Sequence, residues 1–142
     1  MKIAIDGPAG AGKSTIAKKA AADLGFLYVD TGAMYRAVGL YMIENCIDID
    51  NRNAVSAVIE NVNIDITFID NEQVILLNGE NVNSKIRVQD VSNAASKTSA
   101  YPEVRARLFD LQKEIAEEKS VIMDGRDIGT VILPDEELKI FL

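Results

Sequence analysis

Lys2-Ile3-Ala4-Ile5-Asp6-Gly7-Pro8-Ala9-Gly10-Ala11-Gly12-Lys13-Ser14-Thr15 decides how the rest of the chain is read. Lys2 to Asp6 has the short apolar run of a buried strand. From Lys13 to about Leu24 the residues Ile16, Ala17, Ala20, Ala21 and Leu24 recur at helical spacing, and Gly25 stands where a left-handed cap would end a helix. Between strand and helix, Gly7 to Ser14 fits G-x-x-x-x-G-K-[ST]. Glycines in such a loop let backbone N–H groups turn inward around a β-phosphate. The helix N-terminus adds partial positive charge, Lys13 can reach the β/γ oxygens, and the Ser14 hydroxyl can ligate Mg²⁺. The stretch Gly7, Gly10, Ala11, Gly12, Lys13, Ser14 and Thr15 is therefore expected to bind a nucleoside triphosphate. The site is expected to take ATP or GTP; a GTPase would call for N-K-x-D and D-x-x-G elsewhere, and the sequence has neither, which leaves a GTPase as a minor alternative.

Further along the chain, Phe26 to Val29 predicts a second short strand. Asp30-Thr31-Gly32 supplies turn residues before a helix from Ala33 to about Glu44. Strand, helix, strand, helix is the opening of a parallel α/β sheet. The middle changes character: Val62, Ile64, Ile66 and Phe68 alternate with polar residues, and Asp70-Asn71 and Asn78-Gly79 flank the apolar run Val74 to Leu77. With Val82 to Arg87 as a third strand, this predicts a small antiparallel meander inserted into the α/β unit. A short helix is expected over Val88 to Ser99. A longer one starts near Pro102, with Val104, Leu108, Leu111 and Ile115 on one face. Val121 to Met123 and Leu138 to Leu142 return to buried strands. The expected fold class is α/β, a P-loop NTPase-type parallel sheet with flanking helices and an inserted three-stranded meander. Residues 1–32 and 88–142 would form the nucleotide-binding core, and residues 33–87 a region that includes the inserted meander.

The 142 residues contain no histidine and one cysteine. Ser-His-Asp and Cys-His catalysis, His-ligated metals and intrachain disulfides are thereby excluded, and Cys46 is expected as a small core residue. A formal charge of −7 argues against a broad nucleic-acid-binding face, so an anionic ligand needs a local positive pocket. No apolar run approaches a membrane span and no signal peptide is evident, which predicts a cytoplasmic protein without a membrane partner. Chemistry is left to carboxylates, hydroxyls, Lys, Arg and a metal. Phosphoryl transfer to an acceptor that is itself an anionic phosphate suits this inventory, because it needs no general base but does need arginines.

Gly7 to Thr15, Asp30-Thr31-Gly32-Ala33-Met34-Tyr35-Arg36, Asn93-Ala94-Ala95-Ser96 and Asp124-Gly125-Arg126-Asp127-Ile128-Gly129-Thr130 together resemble the bacterial cytidylate kinases, over all 142 residues. The second and fourth of these motifs are far more specific than the phosphate loop. The resemblance implies phosphorylation of CMP and dCMP from ATP with Mg²⁺, and that residues 33–87, with the inserted meander, form a monophosphate-binding region. It implies that Arg36 and Arg126 hold the acceptor phosphate, with Thr31 and Tyr35 shaping the same pocket, and that Ser96, Arg105 and Asp127 read the base. Cytosine offers an amino donor at N4 and acceptors at N3 and O2, to which a carboxylate and an arginine are complementary. Arg105 sits at the edge of its helix's apolar face, so packing of its stem is the competing role. Asp124 ends a buried strand, where contact with the metal shell or the phosphate-loop hydroxyl competes with turn capping. Lys13, Arg36, Arg126 and Asp124 are the expected catalytic set.

The resemblance also implies a flexible lid with further arginines and more helix and strand, none of which the 142 residues contain. The apolar end at Leu142, without cap or tail, agrees with a truncated chain that binds nucleotide with low or no turnover. A full-length form is expected to be a monomer, and this chain to self-associate through an open sheet edge. The alternatives are a small-metabolite kinase of shikimate-kinase type and a catalytically dead nucleotide-binding fragment.

Overall fold

The computed structural model describes residues 2–6, 13–125 and 138–141. In chain order the elements are β1 (Lys2–Asp6), α1 (Lys13–Leu24), β2 (Leu27–Val29), α2 (Thr31–Glu44), α3 (Arg52–Val58), a 3₁₀ turn (Ile59–Asn61), β3 (Ile64–Ile69) and β4 (Glu72–Leu77). There follow β5 (Glu80–Asn81), α4 (Gln89–Thr98), α5 (Pro102–Glu118), β6 (Val121–Gly125) and β7 (Leu138–Phe141). They divide into two compact units, Met1–Thr31 with Gln112–Leu142, and Gly32–Leu111.

The first unit holds a four-stranded, wholly parallel sheet in the order β2-β6-β1-β7. Ile3 lies opposite Ile122 on one side and Leu138 on the other, and Ile5 opposite Asp124 and Ile140. Residues 3–5, 27–29 and 121–123 are buried without alternation, as expected of parallel strands covered on both faces. Ala17 and Ala21 of α1 pack with Ile3, Ile5, Tyr28 and Ile122, with Ala20 and Phe26 at the margin. Alanines on this face let the helix axis lie close to the strands. α1 ends as predicted: Gly25 is left-handed (φ 70°) and the Phe26 N–H donates to the Ala21 carbonyl at 2.9 Å, which is a Schellman cap.

The second unit contains the antiparallel sheet β3-β4-β5. Ile64 pairs with Leu77 and Ile66 with Ile75, and all four are buried. Phe68, placed by the alternation on that same side, is exposed near the hairpin end. Both predicted turn pairs form, with positive φ at Asp70 and Asn71 and at Asn78 and Gly79, the type I′ signature that matches strand twist. The third strand differs from expectation. It is Glu80–Asn81, and residues 83–87 form turns instead. The cause is Asn83, whose amide takes over the ladder: its Oδ1 accepts from the Ile75 N–H at 2.9 Å and its Nδ2 donates to the Gln73 carbonyl at 3.2 Å.

A second correction concerns Cys46. It is exposed and left-handed (φ 55°), one residue before the Ile47 N–H that donates to the Met42 carbonyl at 2.9 Å. The thiol occupies the cap position at the end of α2 where glycine is commonest, not a core site. Helix α3 was not anticipated. Asn51 caps it, accepting the Ala54 N–H at 3.1 Å, and Val55 anchors it. In α5 the expected face is buried at Val104, Leu108, Leu111 and Ile115.

Helices α2 and α4 meet at Gly39. A Cβ there would stand 2.8 Å from the Ala95 nitrogen, 2.9 Å from the Val91 carbonyl oxygen and 3.2 Å from the Ala94 Cβ, so only glycine permits this approach.

Candidate functional site

In the first unit, β1 ends at Asp6 and α1 begins at Lys13, so the glycine motif joins a parallel strand to a helix start, the context its chemistry requires. Lys13 and Ser14 occupy the first turn of α1, whose N–H groups lack intrahelical acceptors. Asp124 lies in β6, in register with Ile5 of the neighbouring β1, near the carboxyl ends of the strands, where α/β proteins bind ligands. A serine hydroxyl and an aspartate carboxylate are both hard oxygen donors of the kind that Mg²⁺ takes. Thr15 is exposed. Gly7, Gly10, Ala11, Gly12, Arg126 and Asp127 lie outside the described residues, as do the side chains of Lys13, Ser14 and Asp124. Thr31 is the first residue of α2.

In the second unit, an open cavity of about 410 Å³ lies between α2 and α4, lined by Gly32, Tyr35, Arg36, Ser92, Ala95, Ser96 and Ser99. Its volume is in the range of small-ligand pockets. Three residues singled out from the sequence, Tyr35, Arg36 and Ser96, are brought together here. Tyr35 and Arg36 lie one turn before Gly39, so the close helix contact fixes where their side chains start. Burial pushes the Tyr35 phenol above its usual pKa, and the positive charge of Arg105 offsets part of that rise. Tyr35 is therefore a neutral hydroxyl at neutral pH.

Arg105 does not line the cavity. Its Nη1 donates to the carbonyls of Ser99 at 3.1 Å and Ala100 at 2.8 Å, at the end of α4, leaving Nε and Nη2 for other partners. The start of α5 that carries it is tied down around it. The Tyr101 hydroxyl donates to the Ile49 carbonyl at 2.7 Å, and the Arg107 guanidinium donates to the Val62 carbonyl at 3.1 Å and to Asn63 Oδ1 at 2.8 Å. Arg52 Nε donates to both Glu103 oxygens, at 3.0 and 3.1 Å. This hydrogen bond holds the Glu103 carboxyl down at about 2.

Ser92 and Ser99 were not anticipated from the sequence. They stand one turn before and one turn after Ser96, so α4 and its C-cap residue Ser99 turn three hydroxyl-bearing positions to the cavity. The Ser99 hydroxyl donates to the Ser96 carbonyl at 3.0 Å. The only available signal was the spacing 92, 96, 99, which on a helix marks a common face but not its use.

A family model described as cytidylate kinase matches residues 3–142. Over all 142 residues the chain is 53% identical to a cytidylate kinase of Caldicellulosiruptor bescii, 50% to one of Carboxydothermus hydrogenoformans and 46% to one of Bacillus cereus. It covers 63%, 64% and 63% of those proteins, and so spans a little under two thirds of the length of the curated relatives it matches. The strand, glycine loop and helix, the all-parallel sheet beside them and the matched family model agree: the chain belongs to the cytidylate kinase family.

Proposed function

We propose that the chain is the nucleotide-binding part of an enzyme that transfers the γ-phosphoryl group of ATP to CMP or dCMP, giving CDP or dCDP and ADP. The observation that carries this reading is the cavity between α2 and α4, where Tyr35, Arg36 and Ser96 share one wall system. An oxygen of the acceptor phosphate attacks the γ-phosphorus, a new P–O bond forms, and the bond to the β,γ-bridging oxygen breaks with ADP as leaving group. The acceptor oxygen is already anionic, so no base is needed.

The residues then divide the electrostatic work. Lys13 and the first-turn N–H groups of α1 stabilise charge on the β/γ oxygens. Arg36 and Arg126 hold the acceptor phosphate against its own repulsion from the donor. Tyr35 and Thr31 shape the pocket, and Ser96, Arg105 and Asp127 read the cytosine edge. Ser14 and Asp124 would hold Mg²⁺, which supplies charge neutralisation between the phosphates. A neutral Tyr35 contributes a hydroxyl donor without adding negative charge beside the phosphate. Among the described residues no helix is long and apolar enough to cross a membrane, in keeping with a cytoplasmic enzyme of pyrimidine nucleotide metabolism.

The test pairs calorimetric titration of this chain with ATP and with CMP against CMP-dependent ADP release, on this chain and on a version built out to its relatives' length. Binding of both nucleotides, with turnover far higher in the longer version, is the expected result. ADP release that responds to shikimate or another small metabolite but not to CMP would overturn the assignment.

A further inference from the structure

Ser92 is a cavity-lining residue to which the reading above gives no role. It is half-buried, lines the cavity, and stands one helical turn from Ser96. Among the described residues its hydroxyl has no hydrogen-bond partner, whereas that of Ser99 is spent on the Ser96 carbonyl. Its place in the cavity is distinctive as well. Ser92 follows Val91, whose carbonyl approaches Gly39 most closely along with the Ala95 nitrogen, so it stands at the end where the two helices touch. Gly32 and Ser99, two turns away on their helices, mark the opposite end.

We infer that the Ser92 hydroxyl is a further acceptor-binding group, making a hydrogen bond to the bound pyrimidine nucleoside monophosphate at the end of the cavity nearest Gly39. This rests on the reading of the cavity as the acceptor site. The physical case is one of unused capacity. A hydroxyl with both a proton and lone pairs, turned into a cavity that also holds Arg36 and Tyr35, loses contact with water when a ligand enters. It must then be compensated by that ligand or cost affinity. A neutral hydroxyl can donate to a carbonyl or accept from an amino group, so it fits the polar rim of either a base or a sugar.

The same observation makes the test clean. Ser92 bonds to no described side chain, and alanine is the better helix former, so Ser92→Ala should leave thermal stability unchanged or slightly raised. CMP affinity measured by calorimetry, on this chain and on the version of relatives' length, should fall about three- to tenfold, the range of one neutral hydrogen bond, with ATP affinity unaltered. Ser92→Leu, which adds bulk at that end of the cavity, should weaken CMP more than tenfold while ATP still binds. If Arg36→Ala weakens CMP binding and neither Ser92 variant does, the inference is overturned and the acceptor site stands. If the unsubstituted protein binds ATP but no CMP in either length, the acceptor reading falls and this inference with it.

Discussion

Replacing Gly39 by alanine tests the contact on which the cavity between α2 and α4 depends. The added Cβ would meet two backbone atoms below 3.0 Å, the Ala95 nitrogen at 2.8 Å and the Val91 oxygen at 2.9 Å. Neither atom is the flexible end of a side chain, and Val91, Ala94 and Ala95 are themselves buried, so relief requires α2 and α4 to part by about half an ångström. Overpacking of this kind costs about 1–3 kcal/mol, and a double backbone clash belongs at the upper end. Against it stands the gain of about 1 kcal/mol from removing glycine inside a helix. The net is a loss of about 2 kcal/mol, or roughly 5–8 °C in Tm for a chain of this size. The cavity should also pay, because Tyr35 and Arg36 lie one turn before position 39 and move with α2. A thermal scan and a CMP titration on the same preparation give both quantities. A Tm equal to or above that of the unsubstituted protein would show that the helices part freely, and the argument from close approach to a fixed pocket would fail.

The remaining expectations can be checked on the version of relatives' length unless stated otherwise. Lys13→Ala should abolish ATP-dependent transfer, since the ammonium stabilises charge that grows on the β/γ oxygens, and retained turnover would remove the phosphate-loop assignment. Arg105→Ala and Asp127→Asn should each lower selectivity for CMP over UMP by about ten- to a hundredfold, with ATP binding little changed. Equal losses for the two acceptors would show that neither residue reads the base. For Glu103 the sign runs as for any carboxyl stabilised in its charged form. Its folded pKa of about 2 lies below the ordinary 4.5, so its contribution is complete above about pH 4.5 and fades as pH falls toward 2. In this chain, Tm curves of the unsubstituted protein and Glu103→Gln should therefore draw together as pH falls from about 4.5 and meet only near pH 2. The separation at neutral pH should be small, because the pair is exposed to solvent.

The parts of the fold that could be read from the sequence are those where the backbone itself dictates the residue. Gly25 was legible as a helix end because a left-handed cap favours glycine, and Asn78-Gly79 as a hairpin because a type I′ turn needs two positive φ angles. Cys46 shows the limit of that logic. It adopts the same left-handed cap conformation without being glycine, so the composition-based habit of cysteine pointed inward while the chain placed it outside. Asn83 shows another limit. Val82 to Arg87 reads as a strand until a side-chain amide is seen to replace the backbone ladder, and an exchange between a side chain and a distant strand leaves no periodicity behind. Helix α3 could have been found from Asn51, whose capping role is local, with Val55 and Ile59 following at intervals of four.

The site divides along the same line. Arg36, Tyr35 and Ser96 were reachable because they stand in motifs, whereas Ser92 and Ser99 stand in none and acquire meaning only when α4 faces α2 across a cavity. That facing is fixed by Gly39, a residue with no motif and no side chain. If the cavity is the acceptor site, its shape is written partly in the residues that line it and partly in Gly39, which lets α2 and α4 come close. A sequence comparison confined to the motif residues would pass over both Ser92 and Gly39. Two proteins identical at Tyr35, Arg36 and Ser96 but differing at these two positions should differ in acceptor affinity. Exchanging only the serine and the glycine should carry that difference from one to the other, and affinities that instead follow the motif residues alone would show that the cavity's walls, apart from those three, are inert.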